Sequence, residues 1–425
     1  MAQEFHLSVT PLQPGDYLVR TERVASGVPL AEERVIWPIQ DWLHQFREIQ
    51  KGKIASKESF SQRQSRLGQQ LYDALFSGTL RDSWLTAQGI SQHHREPLRL
   101  RLGLPEGELT ALPWEWLTAA HSPIATSPDI WLSRSVDSAV PLSSGRKNAW
   151  KEPDRLTILW ILAISQRDLS LVLNQQIARL STALQQIDNF PEMGFPSLDR
   201  LPEETPSPIE SLILEEPDRQ TLLQTLAERS FHSLYYLSDQ DFGQEGHPTD
   251  LLLEALAQPI VNSGVRLSVI SSKANSRLSK TWVAKGMPAV LKLPTIEKPE
   301  ESLDLASLFY RRMQLGYPVD FSLQWARKVS DCKSDAIILY MQKSFDGFLM
   351  PAKPEVLAPE RSEEPEERYE QDETDFLSDL DYGEDGSEDY EEDSAVVADL
   401  FRQVIQSPPT ESPVSEELPP PSAAP

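Results

Sequence analysis

Apolar and polar positions change period several times along the chain. In Phe5–Glu22 two strand-like runs flank a Pro-Gly-Asp turn, which predicts a hairpin. Ile39, Trp42, Leu43 and Phe46 then recur at helical spacing after Pro38, a residue suited to a first helical turn. Lys51–Ser59 is polar and reads as a loop, and Leu67–Trp84 returns to the helical period with Gly78 as the expected stop between two helices. Pro97–Leu104 alternates strictly between apolar and basic residues, the pattern of a half-exposed strand.

From about Leu156 the pattern becomes strand, helix, strand. LTILWILAI reads as a buried strand, and Leu173, Ile177, Leu180, Leu184 and Ile187 mark one face of the following helix. Residues 191–217, rich in Pro and Glu, read as a mobile insertion. Helices are predicted over 218–230, 249–263 and 276–285, and strands over 232–238, 266–271 and 288–293. Two further helices and a strand around Ala336–Met341 complete the set. Such alternation predicts an α/β fold with a mostly parallel sheet flanked by helices. No tandem repeat is apparent.

After Pro351 the composition collapses into Glu, Asp, Pro and Ser, with too little apolar surface to offset the entropy of ordering a fold. The expected organisation is an N-terminal α+β part over 1–150, an α/β core over 151–350 and a disordered acidic tail over 351–425. Within the tail, Val396, Val397, Leu400, Phe401, Val404 and Ile405 share one helical face over 394–406, begun by Ser394 and stopped before Pro408. Phe376, Leu377 and Leu380 form a shorter apolar patch. These islands are either docking motifs that fold on a partner or a helix that packs on its own core.

Charge sharpens this organisation. The chain of 425 residues carries a formal net charge of −25, of which residues 351–425 supply −19 through 23 acidic and 4 basic side chains. A tail of that kind repels nucleic acid and anionic lipid heads and attracts basic protein surfaces. Partners are therefore expected to be proteins, with no nucleic acid and no membrane. The single cysteine, Cys332, excludes an intrachain disulfide and a four-cysteine zinc site, which suits a reducing cytoplasm. The opening MAQEFHLSV has no leader pattern, and LTILWILAI is too short to span a bilayer. No phosphate-binding glycine loop occurs, and the adjacent His93 and His94 lack metal-ligand spacing, so no cofactor or metal is expected.

Several segments, in order and correctly spaced, carry a likeness to a known family. LPWEWL (Leu112–Leu117) resembles the Leu-Pro-Trp-Glu signature ahead of the catalytic core of the CHAT family of caspase-like cysteine peptidases, in its cyanobacterial branch. FHSLYYLSDQ (Phe231–Gln240) and VRLSVISSKANS (Val265–Ser276) resemble the two catalytic strand tips, MPAVLKLP the strand after the nucleophile helix, Leu308–Lys328 the closing helices, and AIILYMQKSFDGF the last strand. The likeness runs from the N-terminus to about Phe348 and implies a caspase-like fold.

It also implies a lost activity. Where the family has Gly-His-Gly this chain has Ser238, Asp239 and Gln240, and where it has the catalytic Cys this chain has Lys273, preceded by Ser272. Cysteine-peptidase chemistry needs a thiolate to attack the carbonyl and an imidazole to carry the proton. A carboxylate does not titrate as an imidazole does near neutral pH, and an ammonium forms no thioester. Gln240 in place of glycine crowds a substrate backbone.

The resemblance thus implies a catalytically inactive pseudo-peptidase acting as an interaction partner or regulatory adaptor, docking an active peptidase or its substrate. Active relatives are linked with regulated proteolysis, cell division and differentiation. Trp114, Glu115 and Trp116 are candidate interaction or core anchors, and Phe376, Leu377, Leu380, Val397, Leu400, Phe401 and Val404 are candidate docking residues of the tail. Asp239 and Lys273 either form a salt bridge across the old site or stand as independent charges. The alternative function is a divergent peptidase using Ser272 or Cys332. Sequence alone leaves the oligomeric state open.

Overall fold

The computed structural model describes residues 2–51, 59–120, 122–127, 129–138, 155–164, 167–185, 209–238, 248–272, 276–293, 299–330 and 337–349. The tail islands Phe376–Leu380 and 394–406, together with Asp239, Gln240, Lys273 and Cys332, lie outside them.

The predicted hairpin is present as β1 (Gln3–Gln13) and β2 (Asp16–Val24), extended by β3 (Glu32–Ile36). The helical stripe after Pro38 becomes α1 (Ile39–Gln50), with Ile39, Trp42, Leu43 and Ile49 buried. Next come α2 (Phe60–Leu75), opened by a Ser59–Gln62 capping box, and α3 (Gly78–His94). Gly78 was expected to stop the first of these helices. Instead it opens the second, at φ +54, because Phe76 and Ser77 already break the backbone and the chain must turn left-handed to re-enter a helix beside Glu33.

β4 (Leu98–Gly103) leads through α4 (Glu108–Ala111), a 3-10 turn at Trp114–Trp116, the small hairpin β5 (Thr118–Ala119) and β6 (Ser122–Pro123) and a second 3-10 turn at Ile124–Thr126 to β7 (Ile130–Val136). The alternation then proceeds as β8 (Leu156–Ala163), α5 (Arg167–Gln185), β9 (Ile209–Glu215), α6 (Arg219–Glu228), β10 (Ser233–Ser238) and α7 (Pro248–Asn262). It closes with β11 (Leu267–Ser271), α8 (Ser276–Ala284), β12 (Ala289–Leu293), α9 (Pro299–Gln314), α10 (Val319–Val329) and β13 (Ile338–Gln342). The insertion expected over 191–217 contains strand β9. Its run Leu212, Ile213, Leu214 is short and bracketed by glutamates, and pairing with β8 is what makes it a strand.

One sheet takes all but the two short strands, in the order β3-β2-β1-β4-β7-β13-β12-β11-β10-β8-β9. It is mostly parallel, the antiparallel junctions being β1–β2, β2–β3 and β12–β13. The fold is therefore α/β, a large, mostly parallel sheet flanked by helices. The last strand in sequence sits in the middle, antiparallel to β12 and parallel to β7, and so joins the early strands to the later ones.

One face is covered by α5, α9 and α10, burying Trp160, Tyr235, Val269, Leu291 and Met341. On the opposite face α1, α2 and α3 cover β1, β4 and β7, while α6, α7 and α8 cover the strands from β13 to β8. Among the described residues no helix is long and apolar enough to cross a membrane.

Strand β4 departs from its expected half-exposure. Leu98, Leu100 and Leu102 enter the core under the N-terminal helices, but Arg99 and Arg101 on the other side are buried as well, at 5% and 1% exposure. Arg99 meets Glu4 (Nη1–Oε1 3.0 Å) and Asp320 of α10 (Nε–Oδ2 2.5 Å). Arg101 donates to the carbonyls of Gln342, Lys343 and Phe345 at 3.2, 2.9 and 2.6 Å. α10, through Asp320, and the chain at Gln342–Phe345 cover this second face of β4, and these bonds repay part of the desolvation of two guanidinium groups.

Candidate functional site

In parallel sheets the reactive edge is the one beyond the carboxyl ends of adjacent strands. Here β8, β10 and β11 run parallel and in register: Leu162 is level with Leu237, Leu237 with Ser271, and Ala163 with Ser238. The chain leaves β10 at Ser238 and β11 at Ser271–Ser272 on neighbouring strands, about 4.8 Å apart by ordinary sheet spacing. Ser238 and Ser272 are buried, at 1% and 2% exposure. Tyr236 enters the core beneath α8, so Ser238, two residues on in β10, belongs to that same face, and Ser272 follows directly on the end of β11. The structure thus brings these two predicted site residues to adjacent tips. Asp239, Gln240 and Lys273, which follow them directly in sequence, lie outside the described residues.

The Leu112–Leu117 segment packs against β7, which β13 and β12 separate from β11. Trp114 is fully buried, its indole N–H donating to the Leu109 carbonyl at 2.7 Å, with its ring 5.7 Å from that of Trp37. Trp116 is buried edge-on against Phe46 and Phe60. Both rings anchor the segment in the core beneath α1 and α2. Glu115, between them, turns to Arg134 of β7 and accepts two hydrogen bonds, from Nε at 2.8 Å and Nη2 at 2.5 Å. The remaining donors of Arg134 reach the carbonyls of Thr110 (2.7 Å) and Leu112 (3.0 Å). One guanidinium therefore fixes both ends of the turn, since its planar fork matches a carboxylate and two carbonyls at once.

Two lysines share this region. Burial holds the Lys292 amine of β12 below its ordinary value; Arg134 adds to the effect and Glu115 opposes it. Lys292 is level with Ile338 of β13. Burial also lowers the Lys280 amine of α8, which donates to the Leu104 carbonyl at 3.2 Å. Neither Arg134 nor Lys292 is a predicted site residue. A single basic residue within IWLSRSV or AVLKL was the available signal, because a charge inside an apolar strand is costly unless paired.

His232 sits at the other edge. It precedes β10, about 20 Å from Ser238 by strand rise. Its Nδ1 accepts from the Thr157 amide at 3.1 Å, and burial together with the Arg266 charge pulls it down to about 4, so it is neutral at physiological pH. It is a packed structural histidine. No group of three or more His, Cys, Asp or Glu able to hold a metal occurs among the described residues. Those at the carboxyl edge of β10 and β11 provide hydroxyls, with the Lys292 amine level with Ile270; Arg134 is level with Ser268, short of that edge.

No protein-family profile matches the chain, and no curated protein matches it. Among solved structures, the chain is similar to two crystal structures of the Saccharomyces cerevisiae separase–securin complex, at 3.0 and 2.6 Å resolution. The likeness covers 80% of this chain at 10% and 12% identity, with TM-scores of 0.46 and 0.44. This chain spans 30% of the length of the chains it matches.

Proposed function

We propose that this chain is a catalytically inactive CHAT-like pseudo-peptidase of the caspase-like class, whose scaffold binds proteins and regulates rather than cleaves them. The observation that carries the reading is the register of β10 with β11. It sets Ser238 and Ser272 at neighbouring carboxyl tips, and the residues that follow in sequence are Asp239 and Lys273 where the resemblance calls for His and Cys. Neither can perform nucleophilic attack through a thiolate with an imidazole base.

Trp114, Glu115 and Trp116 are buried, so they support the scaffold through Arg134 and the core rather than offering a contact surface of their own. The ligand is a protein, an active peptidase or its substrate, and the acidic residues 351–425 tune affinity for basic surfaces in the cytoplasm.

The competing reading is a divergent peptidase acting through Ser272 or Cys332. Incubating the folded protein with serine-reactive and thiol-reactive activity probes separates the two. No specific labelling is expected; labelling of Ser272 or Cys332 that denaturation abolishes overturns the pseudo-peptidase reading. Pull-downs with and without residues 352–425 test the tail, whose removal is expected to change the proteins captured.

A further inference from the structure

The sheet ends at β3, which pairs only with β2 among the described residues. The Thr21 amide donates to the Ala31 carbonyl and the Trp37 amide to the Gly15 carbonyl, both at 2.9 Å, so the odd-numbered residues of this stretch face β2. Backbone groups alternate along a strand, which directs those of Glu32, Arg34 and Ile36 outward. The Glu32 carbonyl meets the Thr79 hydroxyl at 3.2 Å and retains a second lone pair. Leu30 and Ile36, at 72% and 82% exposure, are the most exposed large hydrophobic side chains of the described residues and bracket this edge.

Edge strands are usually blunted by short length, charged side chains, proline or a bulge. β3 is short and carries three charges, but those charges are self-complementary. We propose that it pairs antiparallel with β3 of a second copy, about a two-fold axis through Glu33, giving an isologous dimer with one continuous sheet. Charge selects the register. Centring the pair on Arg34 opposes two guanidinium groups, and centring it on Glu32 opposes two carboxylates. Centring on Glu33 opposes Glu32 with Arg34 twice and Leu30 with Ile36 twice.

Arg34 already holds Asp16 (Nη2–Oδ2 2.6 Å) while its side chain remains 67% exposed, so the incoming Glu32 extends a carboxylate–guanidinium–carboxylate row. Glu33, on the axis, belongs to the opposite face, and its carboxylate is taken up by the Thr79 amide at 2.7 Å, which moderates the like-charge contact there. A single short strand pair buries less than the roughly 1,200 Å² of stable interfaces. The dimer therefore dissociates on dilution.

Sedimentation velocity of the full chain over a wide concentration range tests this, with a reversible monomer–dimer equilibrium expected. Glu32→Arg and Arg34→Glu each set like charges opposite one another and are expected to weaken dimerisation by about tenfold or more. An equimolar mixture of the two variants opposes unlike charges again and is expected to recover the dimer. Arg34→Glu also loses Asp16, so its melting curve is checked. Glu32→Arg and Ile36→Lys alter side chains that have no ion pair among the described residues and carry the test independently. A chain that stays monomeric at every concentration, or a dimer that both of these variants leave unchanged, overturns the proposal.

Discussion

Glu115 and Arg134 face each other in a buried two-pronged ion pair, with Nε 2.8 Å from Oε1 and Nη2 2.5 Å from Oε2. They come from a 3-10 turn and a sheet strand, and the pair ties the Leu-Pro-Trp-Glu segment to the middle of the sheet. Glu115→Ala leaves a guanidinium buried without its counter-charge and is expected to cost about 3–5 kcal/mol in urea denaturation. Replacing both residues with apolar side chains of similar volume is expected to cost much less, because no orphaned charge remains.

Gly68 of α2 lies against the same turn. A Cβ at this position would overlap the Trp116 carbonyl and crowd the Thr118 hydroxyl. Alanine favours helix over glycine by about 1 kcal/mol at an open site. Here the backbone contact wins: Gly68→Ala is expected to destabilise by about 1–3 kcal/mol, read as a lowered melting temperature.

Acid weakens the fold in two windows. His232 is held at about 4 against an ordinary 6.5, by burial and then by Arg266. Between those values the unfolded chain takes a proton that the folded chain refuses, so stability falls as pH drops from 6.5 to 4, by roughly 3 kcal/mol in total. Burial opposes the charge on Glu4, but the His6 hydrogen bond and the Arg99 and Arg101 charges outweigh it and hold the carboxyl at about 2 against an ordinary 4.5. Its contribution is present above pH 4.5 and disappears as pH falls toward 2. Urea midpoints measured from pH 7 to 2.5 are expected to lose the upper slope in His232→Gln and the lower slope in Glu4→Gln.

Restoring the residue types of an active site is expected to be insufficient. Asp239→His combined with Lys273→Cys leaves Gln240 where the resemblance calls for glycine, so the double variant is expected to cleave no peptide from a fluorogenic library. Any return of cleavage is expected only once Gln240→Gly is added.

Local pattern made much of the secondary structure readable. The hairpin, α1, and the alternation from β8 to β12, apart from β9, follow from periods of 2 and 3.6 that each segment carries within itself. The position of β13 was not readable. Strand order is a non-local outcome, and AIILYM gives no sign that it enters between β12 and β7.

Arg99, Arg101 and Arg134 mark the same boundary. In sequence an arginine within an alternating strand reads as a solvent-facing charge. It becomes a buried connector only when Asp320, Gln342 or Glu115 arrives from another part of the chain. By itself the sequence determined most of the helices and strands, β3, β7 and β9 excepted, because those depend on neighbours along the chain. Tertiary structure alone decided which strands lie side by side and which charges are buried, because low-dielectric pairing and strand order depend on neighbours in space.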